Sequence, residues 1–163
     1  MVSSAADDEL VSAIERVYRD GYPRFLRVAT AILGDVERGH DAVQEGFARA
    51  LRSRRDLRRI ESLEGWIWQT VVNVCRVELR HEVERFDGAY EPSWNGRADD
   101  WPEVRAAIAA LPERQRLVLF LRHYADLDYH GIADAAGIER GTVSAALHAA
   151  HQKIREAMTE VTT

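Results

Sequence analysis

Cysteine, lysine and proline are all scarce in this sequence. Cys75 is the one cysteine in 163 residues, so an internal disulfide is excluded, and with no CxxC or Cys/His set beside it a structural zinc site is not expected. Lys153 is the only lysine, and the prevalence of arginine elsewhere therefore reads as codon bias rather than selection at any one position. Four prolines and ten glycines leave little to interrupt regular structure. No apolar run approaches the ~20 residues that cross a bilayer, and the opening MVSSAADDEL lacks the basic-then-apolar order of a secretory signal. A cytoplasmic protein without membrane insertion is expected. The formal net charge of -5 excludes a uniformly basic coat, so any contact with nucleic acid must come from local clusters or be shared with a larger partner.

What is present is helical. Apolar residues recur with helical period over residues 8 to 84 and 101 to 159, without strand-like alternation. Between them lies RFDGAYEPSWNGRADD, whose glycines, proline and aspartates suit a flexible connector. The expectation is an all-α chain of two small helical domains, 1–84 and 101–163, joined by a linker at 85–100. Helices are predicted at 8–20, 22–33, 36–53 and 62–84 in the first half. In the second they are predicted at 101–110, 113–125, 129–136 and 140–158, the first opened by a capping box of Asp100 with Glu103. The short turn Gly137-Ile138-Glu139 between the last two is a helix-turn-helix arrangement.

Winding these helices at about 100° per residue sorts their faces. In the helix after Ser62, Ile67, Trp68, Val71, Val72, Cys75 and Leu79 gather inward, and Trp66, Gln69, Asn73, Arg76 and Arg80 gather on the opposite stripe. An outward tryptophan with amides and arginines, beside a loop carrying Arg52, Arg54, Arg55, Arg58 and Arg59, has what single-stranded DNA needs: a ring for base stacking and guanidiniums for phosphates. The competing reading packs Trp66 on a neighbouring helix and leaves the arginines to solvent. In DAVQEGF, Val36, Val43, Phe47 and Ala50 face inward, against an outward row of Asp41, Glu45, Ala48 and Arg52 with Gln44 beside it. Such a row is ordinarily a solvated face. The last helix turns Val143, Leu147, Ala150 and Ile154 inward and Gly141, Ala145, His148, Ala149 and Gln152 outward. Charge flanks that outward side only at Arg140, Lys153 and Arg155. No catalytic constellation, metal set, phosphate-cradling loop, cofactor site or small-molecule substrate site can be assembled.

The segments VYRDGYPRFLRVATAILGD, DAVQEGF and ESLEGWIWQTVVNVCRVELR resemble region 2 of extracytoplasmic-function sigma factors. The segment LPERQRLVLFLRHYADLDYHGIADAAGIERGTVSAALHAAHQKIREAM resembles their region 4. The resemblance implies a non-enzymatic transcription initiation factor whose partners are core RNA polymerase, promoter DNA and, as a candidate regulator, an anti-sigma factor. It turns Asp41, Gln44 and Glu45 into polymerase-binding residues. It assigns capture of the unpaired minus-ten element to Arg58, Arg59, Trp66, Gln69, Asn73, Arg76 and Arg80, and reading of the minus-thirty-five element to Arg140, Thr142, Ser144, Ala145, His148 and Lys153. Two departures from the family pattern stand out. Val77 and Glu78 replace an aspartate and arginines after Asn73, and Ser144-Ala145-Ala146 with Ala149 replaces basic residues in the last helix. These departures admit a second reading, a sigma-like decoy that binds an anti-sigma factor without productive promoter binding.

Overall fold

The computed structural model describes residues 2–54, 56–85 and 101–162. Seven α-helices follow one another, with no strand among the described residues. They are α1 (Val2–Leu33), α2 (Val36–Arg52), α3 (Leu63–Arg85), α4 (Pro102–Ala109), α5 (Glu113–His123), α6 (Tyr129–Ala136) and α7 (Arg140–Thr162). A 3-10 turn at Asp56–Arg59 fills the break between α2 and α3. The expected linker lies, apart from Arg85, outside the described residues, and so does Asp100 of the expected capping box.

The outermost helices run further than expected, α1 beginning at Val2 and α7 reaching Thr162, and one expected break is missing. The predicted helices 8–20 and 22–33 are a single helix that runs straight through Pro23. An internal proline costs about 3 kcal/mol by deleting one backbone hydrogen bond and crowding the preceding turn. Here Ile14 upstream and Phe25, Val28 and Ala29 downstream are all buried against the same partners. Packing on both sides of the proline keeps the helix intact, and Pro23 itself is exposed.

The ends obey local rules. Gly34, at φ 73°, ends α1, and Asp35 then accepts a hydrogen bond from the Arg38 amide at 2.8 Å to cap α2. Ser62 Oγ accepts from the Gly65 amide at 3.0 Å at the start of α3. Asp128 caps α6 through the Gly131 amide at 2.7 Å, and Gly137, in the left-handed region at φ 65°, ends it.

The first three helices close around stacked aromatics. Phe25 lies on Trp68 with ring centroids 3.9 Å apart, and Phe47 meets Phe25 edge-on at 5.2 Å. Gly46, in the middle of α2, lets α3 come close: a Cβ there would sit 2.4 Å from a methyl of Val71. Val36, expected inward, is 53% exposed because it is the first residue of α2, before the helix reaches the core.

In the second half Ile132, Val143, Leu147 and Ala150 are buried as the periodicity requires, with Ile138 partly buried against the first three and Ile154 against the cluster of Ile108, Phe120 and Ala150. The halves also pack on each other. One continuous core joins Ile67, Trp68 and Val71 to Leu117, Ile132, Ala133 and Ala136, and a second joins Ala31 of α1 to Ile108, Leu119, Phe120 and Ala150.

Candidate nucleic-acid interface

α3 sorts by its two sides. Ile67, Trp68, Val71, Val72 and Cys75 are fully buried. Burial, reinforced by the Glu78 charge, pushes the Cys75 thiol up to about 12, so it stays protonated and unreactive at neutral pH. On the other side Gln69, Asn73 and Arg80 are exposed and Arg76 is half-buried. The expectation of a free Trp66 ring needs correction. Trp66 is half-buried, packs against the core, and lines a crevice of about 650 Å³ shared with Gln69, Asp134, Gly137 and Thr142. Ala133 and Asp134 of α6 line the same crevice, a neighbourhood that no periodicity within α3 could announce.

The arginines of the neighbouring segment divide. Arg52 pairs with Glu45 at 3.0 Å, and Arg54 donates to the Leu51 carbonyl at 3.0 Å. Arg55 and the side chains of Arg58 and Arg59 lie outside the described residues.

On α2, Asp41 and Gln44 are exposed opposite the buried Val43 and Phe47. Glu45 is half-buried and held by Arg49 at 2.7 Å as well as by Arg52. The hydrogen bond from Arg49 and the nearby guanidinium charges keep its carboxyl below the usual carboxylate range. Gln44 also edges a groove of about 880 Å³ between α1 and α2, lined by Val11, Ile14, Tyr18, Phe47 and Leu51. Sequence reasoning missed this groove. Its one signal was Leu51, an apolar residue on the outward side of α2, which with Tyr18 is 39% exposed.

On α7, Arg140, Ser144, Ala145, His148 and Lys153 are exposed, and Thr142 is half-buried in the crevice. The outward face is therefore open to solvent and carries charge only at its ends. His151 turns away from it and meets His123 of α5, Nε2 to Nε2, at 3.2 Å. Among the described residues no group of three or more His, Cys, Asp or Glu side chains could hold a metal ion, and no helix is long and apolar enough to cross a membrane.

Comparison with known proteins agrees with this geometry. Residues 17–85 match Sigma-70 region 2 and residues 107–156 match Sigma-70 region 4. An ECF RNA polymerase sigma factor EcfG from Rhodopseudomonas palustris is 28% identical over 140 residues, which is 81% of this chain and 77% of that protein. The RNA polymerase sigma factor YlaC of Bacillus subtilis is 24% identical over 161 residues, covering 91% of this chain and 93% of its own. In fold, the chain is similar to the sigma factor RpoE of Bartonella quintana, solved in complex with the anti-sigma factor NepR, at a TM-score of 0.71 and 18% identity over 89% of this chain and 96% of that one. It is similar as well to CnrH, solved with the cytosolic domain of CnrY, at a TM-score of 0.70 and 15% identity over 96% of this chain and 94% of that one. With regions 2 and 4 matched in order across most of its length, the chain belongs to the extracytoplasmic-function class of the sigma-70 family, which binds core RNA polymerase and directs it to promoters.

Proposed function

We propose that this sigma factor divides its work between two faces of its first half. The α2 row of Asp41, Gln44 and Glu45, with the apolar groove beside it, docks on core polymerase. The outward stripe of α3 takes the unpaired minus-ten strand, with Asn73 and Gln69 facing bases, Arg76 and Arg80 facing phosphates, and Trp66 as the stacking platform. Arg58 and Arg59 continue the phosphate track. α7 approaches the minus-thirty-five duplex with Arg140, Thr142, Ser144, Ala145, His148 and Lys153. The protein acts in the cytoplasm and contributes no catalytic group. An anti-sigma factor is a further partner, a reading supported by the sigma factor of similar fold that was solved with the anti-sigma factor NepR.

The observation that carries this reading is α3 itself. One side is entirely core, so the amides and arginines of the other side are held on a rigid element and serve no packing purpose of the first half. The test is reconstitution with core polymerase on a promoter fork whose minus-ten region is already melted. Stable complexes that weaken with Asn73→Ala and Arg80→Ala are expected. A chain that binds polymerase yet leaves the fork untouched is the decoy instead.

A further inference from the structure

α5 and α7 bring two histidines from separate parts of the chain to one point. Phe120 of α5 and Ala150 of α7 are buried in the same core cluster, with Tyr124 and Ile154 packed against it. His123 lies one turn beyond Phe120 and His151 directly after Ala150, so the packing that joins the helices also fixes where the two imidazoles start. Both residues are exposed, and their rings are open to ions from solution. Their Nε2 atoms are 3.2 Å apart and their planes cross at 79°. A zinc–imidazole bond is ~2.0–2.1 Å long, so two nitrogens sharing one ion at a tetrahedral angle sit roughly 3.3–3.4 Å apart. The pair is already near that spacing.

From this geometry we propose that His123 and His151 form a two-pronged clip for one divalent late transition-metal ion of the kind that prefers imidazole, Ni2+, Zn2+ or Cu2+, with water completing its shell. Without an ion, one Nε2–H donates to the Nε2 of the other ring. On binding, the donor ring changes to its Nδ1–H tautomer, both rings tilt, and two Nε2 lone pairs meet the ion with no net release of protons. Partial burial, the His151 charge and the Arg122 charge hold His123 below the ordinary histidine value, which keeps its lone pair available at neutral pH. Arg122, the neighbouring cation, is itself turned onto the Leu127 carbonyl at 2.9 Å. Two protein ligands are fewer than a catalytic or a structural zinc site supplies, so the ion exchanges with solvent and does not hold the fold together. What it adds is a tie between α5 and α7, which stiffens the second half of the chain when the ion is present. The two histidines are 28 positions apart, and His148, the one close to His151 in sequence, stands on the outward face of α7 instead.

Titration of Ni2+ into the full-length, untagged chain after treatment with a chelator tests this. Calorimetry should show one saturable ion per chain, and an excess of about 100 times Kd should raise Tm by about 5–10 °C. His123→Gln and His151→Gln, both at exposed positions, should each weaken binding about tenfold or more, at least what losing an outer partner of a metal ligand costs. In NMR spectra of the parent, the signals of these two rings should broaden together as the paramagnetic ion is added. Zn2+ should compete for the site, whereas Mg2+, which prefers oxygen ligands, should not. His148→Gln should leave binding unchanged, as should His130→Gln, which removes the contact of that ring with Asp134 at 3.5 Å. The absence of saturable binding up to about 1 mM Ni2+, or binding that survives both His123→Gln and His151→Gln, overturns the clip and leaves a hydrogen-bonded pair only. Binding lost with His130→Gln or His148→Gln instead places the ion elsewhere and overturns it equally.

Discussion

The outward faces of α3 and α7 make opposite bargains. α3 carries the chemistry of nucleic-acid capture, a tryptophan, two amides and two arginines, and part of it is covered by the other half of the chain. α7 is uncovered, yet its centre offers serine, alanine and histidine, with Arg140 and Lys153 only at the ends. Accessibility and affinity are thus separated between the two regions. On the proposed reading, a helix with so few basic residues can remain exposed without tethering the protein to non-specific sites, because non-specific affinity is set by the number of phosphates neutralised. The face proposed to bind is the one that is partly covered.

The sharpest way to break the comparison is to test the two sides of α3 against each other. Trp68→Ala is expected to cost about 3–5 kcal/mol in denaturant unfolding, since the ring is 1% exposed and stacked on Phe25. Trp66→Ala, half-buried between the halves, should cost clearly less and reduce open-complex formation instead. Equal losses of stability would mean that the outward side of α3 is structural after all.

A second experiment sets α3 against α7 through salt. Arg80→Ala should lower promoter-fork binding by the polymerase complex and flatten its log-log salt slope by roughly 0.7, the share of one single-strand phosphate. Ala149→Arg should tighten duplex binding by the full chain and steepen the slope by about 0.9. Fork binding that depends more on Ser144 or His148 than on Arg80 would reverse the assignment and require base reading through water-mediated contacts.

Smaller in stability but specific in outcome is Asp41→Arg. An exposed carboxylate that supports no core should leave unfolding within about 0.5 kcal/mol of the parent, while polymerase binding weakens. Phe47→Ala on the same helix should do the reverse in rank, with a large loss of stability because Phe47 meets Phe25 and is 4% exposed.

The smallest expected effect is a pH dependence confined to the second half. Burial, with the neighbouring His151 and Arg122 charges, holds His123 below the ordinary histidine value of 6.5. A histidine depressed in the folded state takes up its proton more readily when unfolded, so its contribution is present above 6.5 and is lost as pH falls below it. Thermal unfolding followed between neutral and mildly acidic pH should show this loss, and His151→Gln should make it shallower by removing a neighbouring charge.

How much was legible in the sequence differs by element. The buried side of α3, the inward stripe of α7, the position of α6 and the outward setting of Asp41 and Gln44 all follow from helical period, because a helix with one apolar face must turn that face to a core. Even the break at Gly34-Asp35 was readable, since a left-handed glycine followed by a capping aspartate is a local signal. The continuity of α1 through Pro23 was not. There the local cost of proline is outweighed by burial of residues on both sides of it, and the extent of that burial depends on α2 and α3.

The sequence by itself therefore determined the helices other than the joining of α1 across Pro23, most of their apolar faces and the family, each of which depends on residues close together along the chain. Only the tertiary structure decided that the outward face of α3 meets α6. That contact rests on Gly65 opposite Asp134, Gly137 over Gln69 and Glu113 beside Arg76, pairs tens of residues apart whose fit is a matter of shape and charge in space, which no periodicity within either segment encodes.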